Sequence, residues 1–189
     1  MGEIEWIRPP RLNQVVAAYQ GFAQGAGVRT GLVDQLVACS AEDPESALAE
    51  WAAQPAVQPD LVSRQAALAQ VPIRHTNTTI RSQGPGALIW ALPAAVRRLD
   101  RDRIAELVAL THGPDSPALD AVVLLADHLF TPEKLDGLPD AEPFTAAGAL
   151  AQAVRGEGRG VARAIAGALN GGPEHDVRHV AEELYRRSW

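Results

Sequence analysis

The sequence predicts an all-α protein, and three observations carry that expectation. Alanine and leucine dominate, while aromatic residues make up only 5% of the 189 residues; strands recruit Val, Ile, Thr and aromatics, whereas Ala and Leu are strong helix formers. Apolar residues recur at helical spacing in one segment after another, and no run alternates with the period of two that marks a half-buried strand. Apolar residues are 47% of the chain, enough to fill a sizeable core, and the length suits one domain spanning 1–189. Short links between many helices predict a compact orthogonal bundle.

The elements follow in order. Residues 11–25 place Leu12, Val15, Val16, Tyr19 and Phe22 on one helical stripe, with Pro9 and Pro10 just ahead, where a helix start tolerates proline. Gly25, Gly27 and Gly31 are expected to loosen the chain after it. Asp43-Pro44 reads as a cap followed by a first-turn proline, opening a helix through Leu48 and Trp51. Pro55 and Pro59 bracket a loop, and 60–70 reads as a short helix. Residues 71–86 (VPIRHTNTTIRSQGPG) are polar and β-branched and end in Gly84-Pro85-Gly86, the one long non-helical stretch. Helices are expected again over 87–99 and 101–111. Ser116-Pro117 caps the next, whose stripe is Leu119, Val122, Val123, Ala126 and Leu129. Thr131-Pro132 starts a short turn and 137–143 is a loop. Residues 144–155 and 157–170 are helical until Gly171-Gly172 stops the chain. The last helix is expected over 173–187, with Val177, Val180, Ala181 and Leu184 inward. Trp90 reads as a core residue; Trp189, near the end of the chain, is a candidate contact for a second subunit, which leaves a homo-oligomer open.

Charge and composition exclude several function classes. The net charge is −6 and Lys134 is the only lysine, so no basic stripe points to nucleic acid. No apolar run approaches the roughly 18 residues of a membrane span, and the acidic start (Glu3, Glu5) has no apolar signal core, so a cytoplasmic protein is expected. Cys39 stands alone, which rules out a disulfide framework or cysteine metal cluster and marks it as a small buried hydrophobe.

Four segments, in order, carry a family resemblance: 11–27 (RLNQVVAAYQGFAQGAG), 82–96 (SQGPGALIWALPAAV), 110–125 (LTHGPDSPALDAVVLL) and 161–184 (VARAIAGALNGGPEHDVRHVAEEL). They resemble the ADP-ribosylglycohydrolase family (dinitrogenase-reductase-activating glycohydrolase-like): its opening helix, its Ser-Asn-Gly loop and following helix, its Thr-His segment, and its closing Gly-Gly-Asp-x-Asp loop between two helices. The resemblance implies that family's all-α fold. It also implies a shortened and degenerate member. The family holds two Mg²⁺ through carboxylates of a Thr-Asp-Asp-Thr motif and of the Gly-Gly-Asp-x-Asp loop, because Mg²⁺ yields its hydration shell only to several anionic oxygens. Here no Thr-Asp-Asp-Thr occurs, and Gly171-Gly172 is followed by Pro173-Glu174-His175-Asp176, with Pro173 and His175 where the two acids would stand. A shifted register leaves only Glu174 and Asp176, too few for two metal ions. No metal, no other cofactor and no hydrolysis of the family's type are therefore expected.

The resemblance brings several residues towards a ligand, each with a plainer structural reading beside it. His75, in the long polar loop, is a candidate general acid or base, or an exposed loop histidine. His175 and Asp176, with Glu174, form the most polar cluster at the altered metal loop; acids there also suit the first turn of a helix. Arg74 and Arg81 could grip a phosphate or carboxylate between them, or simply be solvated. Gln83 keeps an amide where the family has asparagine. His112 is a wall of the site, or a helix-end histidine bonded to carbonyls. His175 and His179 stand four apart, a spacing that suits a transition metal on a helix but lacks a third ligand.

Three readings of function follow. The first is an enzyme repurposed for metal-independent chemistry on a small molecule, such as isomerisation, elimination or cyclisation, a kind of chemistry that secondary metabolism uses. The second is a non-catalytic relative that binds an ADP-ribose-like ligand or a protein partner. The third is a residual ADP-ribosyl hydrolase. The polarity of the interior separates the first two: a catalyst needs a titratable group aimed inward, and a scaffold fills the space with Leu, Val and Trp.

Overall fold

The computed structural model describes residues 9–27, 31–54, 63–64, 66–67, 70–75 and 80–189. Among these every regular element is helical and none is a strand. The chain is all-α, as its composition implies. In order the helices are α1 (Leu12–Ala26), α2 (Leu32–Cys39), α3 (Pro44–Ala52), α4 (Ala91–Arg97), α5 (Arg101–His112), α6 (Leu119–His128), α7 (Ala146–Val154), α8 (Val161–Asn170) and α9 (Arg178–Ser188), with 3₁₀ turns at Ile73–His75, Pro85–Trp90 and Pro132–Leu135. The expected loop bracketed by Pro55 and Pro59 lies outside the described residues, as does most of the expected helix 60–70, of which Ser63, Arg64, Ala66 and Ala67 are helical.

Local chemistry accounts for most boundaries. Asp43 Oδ1 accepts the Ser46 amide at 3.2 Å with Pro44 in the first turn, Asp100 Oδ1 accepts the Arg103 amide at 2.9 Å, and Thr145 Oγ1 accepts the Gly148 amide at 3.0 Å. Pro93 falls within α4, just past the switch from the 3₁₀ turn, where the first turn of a helix has no need of its missing amide. α4 ends in a Schellman turn, with the Arg98 and Leu99 amides donating to the Ala95 and Ala94 carbonyls at 3.3 and 3.1 Å.

Four expectations differ from the structure. α2 forms between Gly31 and Ser40, where the glycines suggested only loosening; Gly25 lies inside α1, and Gly27 ends it with φ +68°. α8 starts at Val161, because Gly158 and Gly160 hold the positive φ values of a turn. α9 starts at Arg178 and not near Pro173. Leu12, placed on the buried stripe of α1, is 42% exposed, while Val15, Tyr19 and Phe22 are fully buried.

One hydrophobic cluster runs from Val15 to Leu184 and takes residues from every α-helix. At its centre lie Tyr19, Phe22, Leu88, Ile89, Trp90, Leu92, Ile104, Leu125 and Leu150, and Cys39 is buried within it. α1 crosses α8 so closely that glycines form the contact on both sides. A Cβ on Gly21 would lie 2.0 Å from the Gly167 carbonyl oxygen, one on Gly167 1.9 Å from that of Gly21, and one on Gly25 2.3 Å from that of Arg163. Trp189 is held by its own chain: its Nε1 donates to the Val96 carbonyl at 2.8 Å, which ties the end of α9 to α4.

Two core tryptophans behave differently. Trp90 Nε1 donates to Thr111 Oγ1 at 2.9 Å, whereas Trp51 Nε1 is buried with no hydrogen-bond partner among the described residues. Trp90→Phe is expected to lower stability by about 3 kcal/mol, from the lost volume and the hydroxyl left short of a donor. In Trp51→Phe, relief of an unpaired N–H offsets the lost volume, leaving a change of about 1 kcal/mol or less. Urea unfolding of the two variants side by side checks the contrast.

Candidate functional site

The segment 80–84 is tied down by four hydrogen bonds. The Ser82 amide donates to the His112 carbonyl at 2.8 Å, and the Ser82 carbonyl accepts Ser116 Oγ at 2.6 Å. The Gly84 amide donates to Ser82 Oγ at 3.2 Å, and the Gln83 carbonyl accepts the Ala146 amide at 2.8 Å. The loop is thereby wedged between the end of α5 and the start of α7. Gly113 makes the wedge possible: its φ is +84° and a Cβ there would lie 1.7 Å from the Ile80 carbonyl oxygen.

Behind the loop lies a buried polar chain. Trp90 Nε1 is purely a donor, so Thr111 Oγ1 accepts from it; its one hydrogen lies between the Val108 carbonyl, 3.4 Å away, and His112 Nδ1, 2.7 Å away, and goes to the nearer. The backbone hydrogen bond to Gly84 on the far side of the ring puts the imidazole hydrogen on Nε2, the atom turned towards Gly84 and Gly86. Burial pushes the His112 pKa down from 6.5 to about 4, against the smaller opposing effect of the Gly84 backbone hydrogen bond. The ring is neutral at neutral pH and 4% exposed. Buried at the end of α5, it joins the core to the loop.

The other candidates are placed apart from one another. Arg81 and Gln83 are both exposed on the tied loop, with Arg81 Nη1 3.8 Å from Asp115 Oδ2. Arg74 does not join Arg81 in a grip: its guanidinium pairs with Glu45 at 3.0 Å and its amide donates to the same carboxylate at 2.8 Å, which fastens the turn Ile73–His75 to α3. The side chain of His75 lies outside the described residues.

Glu174, His175 and Asp176 are exposed in the turn before α9. His175 Nδ1 accepts the Val177 amide at 3.2 Å, which holds the turn ahead of α9, and the Glu174 charge acts on Arg178. His179 Nδ1 bonds the Asp176 carbonyl. His175 precedes the helix, so the four-residue spacing to His179 does not put both rings on one helical face. Among the described residues no group of three or more His, Cys, Asp or Glu is placed to hold a metal ion. No described helix is long and apolar enough to cross a membrane.

The sequence reading passed over a second polar site at the other end of α4. Arg97 Nη2 donates to the Ala41 carbonyl at 2.9 Å and to that of Ser40 at 3.4 Å; Arg187 Nη2 donates to the same Ser40 carbonyl at 3.2 Å. Ser40 Oγ also bonds the buried Tyr19 hydroxyl at 2.7 Å, and burial pushes that phenol above its ordinary pKa. Arg97 and Arg187 are 90 residues apart in sequence and carry no motif, so no local signal marks them.

The fold thus defines an all-helical protein with a braced loop on one side and a paired-arginine cleft on another. Comparison with known proteins finds no matching family model, no matching curated protein and no matching solved structure.

Proposed function

We propose that the chain is a non-catalytic binding protein, on a scaffold that resembles the ADP-ribosylglycohydrolases, and that it takes an ADP-ribose-like ligand at residues 81–84. The observation that carries this reading is the contrast within the site. The loop backbone is fixed by four hydrogen bonds while Arg81 and Gln83 stand exposed on it. Among the described residues no histidine stands open to the ligand there: His112 is buried and neutral, His175 lies in the turn before α9, and the carboxylate beside Arg81 is that of the exposed Asp115. Donors held in place before binding reduce the ordering cost of association, and a guanidinium beside an amide suits phosphate and hydroxyl oxygens. The repurposed-enzyme reading rests on His75, His175 and Asp176, of which the last two are exposed in the turn before α9.

A calorimetric titration with ADP-ribose, with and without Mg²⁺, tests the proposal. The expected result is binding that Mg²⁺ leaves unchanged and that the pair Arg81→Gln with Gln83→Ala weakens about tenfold. Binding strengthened by Mg²⁺, or release of ADP-ribose from an ADP-ribosylated protein, overturns it in favour of the residual hydrolase. Absence of binding under both conditions removes ADP-ribose as the ligand.

A further inference from the structure

We propose that the cleft between α4 and the end of α9 is a binding site for a small phosphate monoester, gripped by Arg97 and Arg187. The cleft holds about 400 Å³ and is lined by Glu42, Arg97, Arg187 and Ser188. That is far more than one phosphate ion fills and lies within the roughly 300–1,000 Å³ of ordinary ligand sites.

Electrostatics argues for an anion. Two guanidiniums converge on the Ser40 carbonyl, at the end of α2, from the middle of the chain and from its last helix. Like charges held together repel; Arg97, disfavoured first by partial burial, is held below its usual range partly by Arg187. Carbonyl dipoles offset only part of this. Among the described residues the carboxylate that faces the pair is Glu42, 3.8 Å from Arg187 and 89% exposed. Arg97 has no carboxylate partner among the described residues. Its bonds to Ser40 and Ala41 use Nη2 alone, so Nε and Nη1 keep their hydrogens for another acceptor. The same bonds fix the guanidinium in place, so little side-chain freedom is lost when an anion arrives. Ser188 Oγ donates to the Leu184 carbonyl and retains lone pairs, not a hydrogen, for a ligand hydroxyl. A dianionic head between the arginines, with its organic part along the open cleft, satisfies this arrangement, and Glu42 competes with it from the rim.

The test is the thermal unfolding midpoint of the whole chain against inorganic phosphate and glycerol 3-phosphate, with chloride at matched ionic strength as reference. Both phosphates are expected to raise the midpoint above chloride, the ester at least as strongly. Arg187→Gln is expected to weaken binding about tenfold. Because that change also removes a bond to Ser40, Glu42→Gln is the sharper variant: it leaves the fold's own bonds intact, removes the competing charge, and is expected to tighten phosphate binding about threefold. With a purely structural role for the arginine pair, any rise in phosphate comes from its exclusion from the protein surface, is the same in Arg187→Gln as in the unaltered chain, and leaves Glu42→Gln without effect. Equal midpoints in phosphate and chloride, exclusion of the ester, or unchanged affinity in Glu42→Gln each overturns the proposal.

Discussion

Replacing Gly21 by alanine is expected to destabilise the protein by about 3–5 kcal/mol, at or beyond the upper end of ordinary overpacking and a large part of the 5–15 kcal/mol that holds a typical domain folded. Elsewhere in a helix the same change would add about 1 kcal/mol of helix propensity, so the sign itself is diagnostic. The reason is that the new methyl group meets backbone: 2.0 Å from the Gly167 oxygen, 2.7 Å from its carbonyl carbon and 2.8 Å from the Gly171 carbonyl carbon. No rotamer relieves a clash with main chain, so α1 and α8 must separate, and the turn at Gly172, whose own Cβ would lie 2.6 Å from the Gly21 Cα, must move with them. Gly27→Ala is the matched control. Its φ is +68° and nothing lies within 4 Å, so it carries only the conformational penalty of about 1 kcal/mol. Urea unfolding of both variants separates close packing from backbone strain, and equal losses would show that the glycine contact is not tight.

The second large effect is a loss of stability in mild acid. His112 has a pKa of about 4 in the folded protein and 6.5 as its ordinary value. The folded state therefore binds its proton less readily than the unfolded chain does. The stability gained by keeping the ring neutral is fully present above pH 6.5 and drains away as the pH falls towards 4, amounting to about 3 kcal/mol across that window. His112→Asn is the informative variant, since its amide oxygen can still accept from Thr111 but does not titrate. Measured at pH 7, 5.5 and 4.5, the stability difference between the two proteins should shrink by about that amount as the pH falls. A constant difference would show that His112 is not buried as a neutral ring. In the folded protein the ring takes up its proton only near pH 4, and because that loosens the support behind residues 82–84, binding at the proposed loop site should weaken as the pH approaches 4 and not before.

The sequence by itself determined that the chain is helical and where most helices run, since those facts depend on neighbours three and four residues apart. The stripe Val15, Val16, Tyr19 and Phe22, the cap at Asp43-Pro44 and the stop at Gly171-Gly172 are local signals, and each matches an observed boundary or face. It also marked 71–86 as distinct, through polar and β-branched residues closed by Gly84-Pro85-Gly86, within which the structure ties down 80–84. Other features depend on residues far apart in the chain. Gly25 looks like a flaw in a helix until α8 lies against it. His112 looks titratable until Trp90, Thr111 and Gly84 enclose it. Arg97 and Arg187 look like ordinary helix-surface cations until both meet the Ser40 carbonyl. Only the tertiary structure decided these, because close approach, desolvation and the pairing of charges depend on distance in space, and periodicity along the chain records only which face of each helix turns inward.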